Sequence, residues 1–174
     1  IRVTVKKNGT NIFRMDAPDI GLTAYSKTMG DLGKKDLPKE VQFVERLYKR
    51  FLEKYPQDEG IDVVTRSDFA ATFGFGSSSA VTVAFAKALT VLYEIEVGEM
   101  ELFAMCQRAV LDVQGVGSGF DIASAIWGKT IYYVPPAREV RVIDIDSIPL
   151  LVGYTGIKAD TPTLVRVVEQ LKAE

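Results

Sequence analysis

Gly74-Phe75-Gly76-Ser77-Ser78-Ser79-Ala80 stands between a strand-like segment and a long apolar helical pattern, so its glycines fall where the backbone turns and its serines in a first helical turn. Free N–H groups at such a start, with the positive end of the helix dipole, attract an anion, and small side chains let a phosphate approach the backbone. Serine hydroxyls also ligate magnesium carried by a nucleotide. The same residues read, without any ligand, as a glycine turn with a serine N-cap. The run is not the ordinary P-loop. No G-x-x-x-x-G-K-[ST] occurs, and Lys87 sits roughly three turns into the helix. No parallel βαβ context makes it Rossmann-like.

A second small-residue loop, Gly115-Val116-Gly117-Ser118-Gly119-Phe120, ends in Asp121 at the start of a short helix. Beside a nucleotide, that carboxylate accepts or orients the proton of an attacking hydroxyl. As a plain structural residue it is a helix N-cap, and both readings stand at this level. A third loop, Gly153-Tyr154-Thr155-Gly156-Ile157-Lys158-Ala159-Asp160-Thr161, leads into the last helix with Thr161 as the expected cap. Thr155 and Lys158 there either face an anion or are solvated.

Other chemistries are closed off by composition. Histidine is absent, which removes the usual general base, every Ser-His-Asp or Cys-His arrangement and the commonest zinc ligand. Cys106 is the sole cysteine and lies on an apolar helical stripe, where a buried inert thiol is expected. Twenty-one basic residues nearly balance twenty-three acidic ones without blocks of like charge, so neither nucleic acid nor an anionic membrane is expected as a partner. No apolar run approaches the roughly 20 residues that span a bilayer, and Ile1–Lys7 is unlike a secretion signal. The expected location is the cytoplasm. The chain opens on Ile1 in a strand pattern, so a missing upstream segment is expected.

The elements that would position these residues follow from periodicity. Arg2–Lys6 and Asn11–Met15 alternate around Asn8-Gly9-Thr10 and predict a β-hairpin. Residues 16–36, with Pro18, Gly21, Gly30 and Gly33, read as a long loop containing a short helical piece around Thr23–Met29. Helices are predicted from Pro38 to about Tyr55, over Ser77–Tyr93, Glu99–Val113 and Asp121–Trp127, and from Thr161 to Lys172. Strands are predicted at Ile61–Ser67, Thr130–Val134, Glu139–Ile145 and Leu150–Tyr154. This order lacks strict βαβ repetition and argues for an α+β fold, a mixed sheet with helices packed on it.

Together the three loops resemble the GHMP kinases, the family of galactokinase, homoserine kinase, mevalonate kinase and phosphomevalonate kinase. Gly74–Ala80 is similar to the family's G-L-G-S-S-A-A signature, Gly117-Ser118-Gly119-Phe120-Asp121 to its S-G-x-D segment, and Thr155-Gly156-Ile157-Lys158-Ala159 to the mevalonate kinase loop that follows. The resemblance implies that the amides of Gly74, Phe75, Gly76, Ser77, Ser78 and Ser79 wrap the phosphates of ATP. It implies that Ser78 stands by Mg2+, Asp121 is the catalytic carboxylate, Thr155 lies near the reacting hydroxyl, and Gly117, Ser118 and Gly119 border the substrate. It also implies the family's N-terminal domain over residues 1–149 and the start of its C-terminal domain over 150–174.

The family's opening signature, P-G-K-x-x-L-x-G-E-H, and its glycine-rich C-terminal signature do not occur here. A chain without them is expected to be inactive alone. Val110 occupies the position where mevalonate kinases carry a metal-binding glutamate, as phosphomevalonate kinases often do not. The expected activity is ATP-dependent phosphorylation of a small alcohol in isoprenoid precursor synthesis, mevalonate kinase-like, with phosphomevalonate kinase the close alternative. A sugar or amino-acid kinase of the same family, or a catalytically silent nucleotide-binding member, stays open. The expected partners are a small-molecule substrate and, optionally, a second copy in a homodimer.

Overall fold

The computed structural model describes residues 1–34, 37–145, 147–157 and 160–173. Four strands form one mixed sheet: β1 (Arg2–Lys7), β2 (Ile12–Ala17), β3 (Leu22–Thr28) and β4 (Ile61–Arg66), in spatial order β1-β4-β2-β3. Strand β4 runs antiparallel to β1 and parallel to β2, with Val5 opposite Val63 on one side and Met15 opposite Val63 on the other. The predicted β1–β2 hairpin is therefore corrected, because β4 lies between those strands. The Asn8-Gly9-Thr10 turn clamps the entry to β4: the Asn8 amide donates to the Gly60 carbonyl at 3.1 Å and the Gly60 amide to the Thr10 carbonyl at 2.5 Å. Glycine is required there, since a Cβ on Gly60 would sit 2.1 Å from the Ile12 carbonyl oxygen.

A second correction concerns residues 16–36. Leu22–Thr28 is a strand paired antiparallel with β2, with no helical piece at Thr23–Met29, and it is reached through a 3-10 turn at Pro18–Ile20 and the left-handed Gly21. Its anchor is Glu45, which is fully buried yet accepts from the Tyr25 hydroxyl at 2.5 Å, the Lys27 ammonium at 2.8 Å and the Gly33 amide at 2.6 Å. A buried carboxylate is tolerable only with such a full set of partners.

Helices α1 (Gln42–Lys54), α2 (Ser77–Leu92), α3 (Glu99–Gln114) and α4 (Phe120–Trp127) follow the predicted apolar spacing, although α1 begins at Gln42 rather than Pro38. Val44, Leu47, Tyr48 and Phe51 form the buried stripe of α1. Apolar on several sides, α2 is central and contacts β1, α1, α3 and α4. Phe13, Tyr48, Phe51 and Phe85 are fully buried, and each contributes roughly 1.5–3 kcal/mol of apolar transfer. Strands β5 (Thr130–Val134) and β6 (Glu139–Ile143) make a separate antiparallel hairpin, with β6 ending two residues before the predicted limit. The strand expected at Leu150–Tyr154 is absent: those residues are irregular and exposed. Before α5 (Thr161–Ala173), the Asp160 carbonyl accepts from the Leu164 amide and its carboxylate from the Thr163 hydroxyl, so Asp160 rather than Thr161 is the cap.

Candidate functional site

Both glycines of the first loop adopt left-handed conformations, Gly74 at φ +77° and Gly76 at φ +67°. Gly76 is the N-cap of α2 and no side chain caps the helix, so the serine N-cap reading is set aside. The Gly76 carbonyl accepts the Ala80 amide at 2.9 Å, and the amides before it, on Ser77, Ser78 and Ser79, have no backbone acceptor among the described residues. Such orphan donors take water or an anion. Ser77 and Ser78 are half-buried and Ser79 is buried. Phe75 is exposed and meets Phe69 and Phe73 with ring centroids 6.0 and 5.9 Å apart.

Asp121 comes to the same place. A Cβ on Gly76 would lie 3.2 Å from the Asp121 Cγ and 3.3 Å from its Oδ1, so the carboxylate rests against the bare face of the glycine. The N-cap of α4 is Gly119, at φ +87°, and Asp121 caps nothing. Among the described residues its carboxylate makes no hydrogen bond or ion pair, and burial holds its carboxyl above the ordinary aspartate value. An unpaired, partly desolvated carboxylate at a helix start is available to a proton.

The Gly117–Gly119 segment serves packing in part. A Cβ on Gly119 would collide with the Phe103 ring at 2.7 Å and the Tyr133 hydroxyl at 2.9 Å, and that hydroxyl donates to the Ser118 carbonyl at 2.5 Å. Gly117 and the Ser118 side chain are exposed, and a Cβ on Gly117 would come no nearer than 3.9 Å to Val110. Val110 is buried in the core. Lys87 reaches the Ile126 carbonyl at 3.5 Å, away from the loop.

Thr155 is exposed and its hydroxyl faces the Ile157 carbonyl at 3.4 Å. Its neighbour Tyr154 donates to the Thr72 carbonyl at 3.2 Å and packs edge-on against Phe73, which brings the third loop beside the first. No described contact joins Thr155 to Asp121. Lys158 and Ala159 lie outside the described residues. No group of three or more Cys, Asp or Glu side chains placed to hold a metal ion occurs among the described residues, so a magnesium ion here would depend on nucleotide oxygens as well as protein groups such as the Ser78 hydroxyl.

A cavity of about 400 Å³ opens beside Ser77 and Ser78, between the starts of α1 and α2 and the end of β4. It drew no attention in the sequence, because its lining comes from five separated segments.

The sequence pattern of the GHMP kinases N terminal domain matches residues 42–129, just over half of the chain. The chain belongs to the GHMP kinase family. The mevalonate kinase of Pyrococcus abyssi is 31% identical over 130 residues, covering 75% of this chain and 38% of that protein. The phosphomevalonate kinase of Saccharolobus solfataricus is 31% identical over 138 residues, covering 68% and 40%. The crystal structure of the Methanococcus jannaschii mevalonate kinase superposes with a TM-score of 0.70 at 16% identity, over 81% of this chain and 45% of that one, a likeness of fold. This GHMP kinase domain spans half or less of the length of these curated relatives. No helix among its described residues is long and apolar enough to cross a membrane.

Proposed function

We propose that the protein carrying this domain transfers the γ-phosphoryl group of ATP to the hydroxyl of a small isoprenoid precursor, with mevalonate the acceptor. The observation that carries this is the Asp121 carboxylate resting against Gly76 at the uncapped start of α2. The orphan amides of Ser77–Ser79 bind the polyphosphate, and the small side chains before them allow close approach. The Ser78 hydroxyl would help to hold a magnesium ion brought in with the nucleotide, which would supply neutralisation of the phosphoryl charge. Asp121 orients the acceptor hydroxyl and takes its proton as the new O–P bond forms and the bond to the β-phosphate oxygen breaks. Gly117 and Ser118 border the acceptor, and Thr155 approaches the reacting hydroxyl from the third loop. Residues 1–149 form the nucleotide-binding domain and 150–174 begin a second one.

The buried Val110 and the relative from Saccharolobus solfataricus favour a second reading, with phosphomevalonate as acceptor. ADP release by the protein in its natural full length, measured with magnesium and either acceptor, tests both readings. Asp121→Ala is expected to lower turnover by about 10²–10⁴-fold. Undiminished turnover in that variant removes Asp121 from the chemistry.

A further inference from the structure

Since the Asp121 carboxylate has no hydrogen-bond or ion-pair partner among the described residues, the backbone before it decides where it stands. That backbone, Gly117-Ser118-Gly119, is held from another element. The Tyr133 hydroxyl on β5 donates to the Ser118 carbonyl at 2.5 Å, the one side-chain hydrogen bond to residues 115–121 among the described residues. A Cβ on Gly119 would stand 2.9 Å from that hydroxyl, 2.7 Å from the Phe103 ring and 3.2 Å from the Gln107 amide nitrogen. Gly119 is the left-handed N-cap of α4, and its carbonyl accepts from the Ala123 amide at 2.9 Å. Tyr133 is itself anchored: its ring lies 6.2 Å from that of the buried Phe103, and its strand pairs with β6, Tyr133 opposite Val140. The neighbouring Tyr132 projects from the other face of the hairpin, where the Arg141 guanidinium lies 4.7 Å above its ring.

We infer that Tyr133 is a positioning residue for phosphoryl transfer: its hydroxyl latches the Ser118 carbonyl and so fixes the first turn of α4 with the Asp121 carboxylate against Gly76. The inference rests on the kinase reading above, because Tyr133 acts only through Asp121. A glycine on each side of Ser118 gives this segment a wide choice of backbone angles. Only Gly119 and Phe120 separate Ser118 from Asp121, so a small rotation at Gly119 swings the start of α4 and carries the carboxylate with it. One hydrogen bond to the carbonyl between the two glycines removes that freedom. The bare Gly119 is what admits the hydroxyl, since a methyl group there would push it off the carbonyl. Alignment of a reacting group is where small displacements cost most in rate.

The test measures steady-state ADP release by the natural full-length protein with magnesium, ATP and the acceptor it phosphorylates, mevalonate or its 5-phosphate. Wild type, Tyr133→Phe, Asp121→Ala and the double variant form a cycle. Tyr133→Phe keeps the ring on Phe103 and removes only the hydroxyl. It is expected to lower kcat about tenfold, with the KM for ATP within about twofold of wild type. In the Asp121→Ala background the same change is expected to alter kcat by less than about twofold, because the group it positions is gone. Tyr132→Phe makes the same chemical change on the opposite face and is expected to leave kcat unchanged. A bond that merely ties the hairpin to the domain would lower kcat equally in both backgrounds or not at all, and either result overturns the inference, as does a loss confined to the KM for ATP. The kinase reading survives those results provided Asp121→Ala is itself impaired. Undiminished turnover in Asp121→Ala, or no turnover of either acceptor by wild type, overturns the reading and the inference together.

Discussion

Gly76→Ala, compared with Gly74→Ala, separates backbone strain from displacement of Asp121. Both glycines are left-handed, at φ +67° and +77°, and an alanine there costs about 1–2 kcal/mol. At this chain length that lowers Tm by about 2–8 °C in either variant. The surroundings differ. A Cβ at Gly74 meets nothing within 4 Å, whereas one at Gly76 meets the Asp121 Cγ at 3.2 Å, a contact relieved only if the carboxylate moves a few tenths of an ångström. A 1 Å misplacement of a reacting group costs about a hundredfold, so the smaller shift is worth about tenfold in kcat. Thermal melts and steady-state ADP release on the full-length protein are the assays, with Gly74→Ala as the strain control. The expected result is similar Tm losses in both variants and a kcat about tenfold lower in Gly76→Ala than in Gly74→Ala. Equal kcat values would show that the Asp121–Gly76 contact has no part in positioning the reaction.

Four further outcomes test other parts of the structure. Burial raises the Asp121 pKa, so the stability it contributes is complete below its unfolded pKa and lost as pH rises through its folded one; Asp121→Asn should melt with wild type in acid and above it near neutrality, as a Tm–pH scan would record. Glu45→Ala strands the Lys27 ammonium, the Tyr25 hydroxyl and the Gly33 amide, at an expected cost of about 3–5 kcal/mol in urea unfolding. Gly60→Ala drives a methyl into the Ile12 carbonyl and is expected to cost more than about 4 kcal/mol, visible as loss of soluble folded protein. Burial pushes the Cys106 thiol up to about 12, so it should resist an aromatic disulfide reagent in native buffer and react fully in denaturant.

Local periodicity made the helices legible. Val44, Leu47, Tyr48 and Phe51 recur at helical spacing and are buried together, and Pro38 misplaced only the start of α1. Sheet topology was not legible, because pairing β1 with β2 through Asn8-Gly9-Thr10 is the cheapest local solution. The structure instead inserts the more apolar β4, whose Ile61, Val63 and Thr65 are all buried. Strand β3 escaped notice because an edge strand of Thr, Ala, Ser and Lys shows no apolar alternation, and its anchor Glu45 lies on another element. Within the site, Gly74–Ser79 and Asp121 announced themselves by residue type. Their contact, more than forty residues apart in sequence, and the cavity at Arg66 and Lys39 depend on long-range packing of α2 against α4 and β1.

Two unfavourable features meet at Gly76. Among the described residues the start of α2 has neither a side-chain cap nor a backbone acceptor for its first amides, because the left-handed Gly76 at the cap position carries no side chain to accept from them. Asp121 is partly desolvated without a partner, although an asparagine there would avoid the cost of burying charge. Each leaves open a group that a phosphorylated ligand and its acceptor would satisfy: donors for an anion, and a carboxylate for a proton. A fold otherwise well satisfied, with no fully buried side-chain polar atom left without a partner among the described residues, carries both exceptions in one contact. Unsatisfied groups concentrated in this way are the physical mark of a reactive site, and Asp121→Asn should give a domain that is more stable near neutrality and whose full-length protein no longer turns over ATP at the wild-type rate.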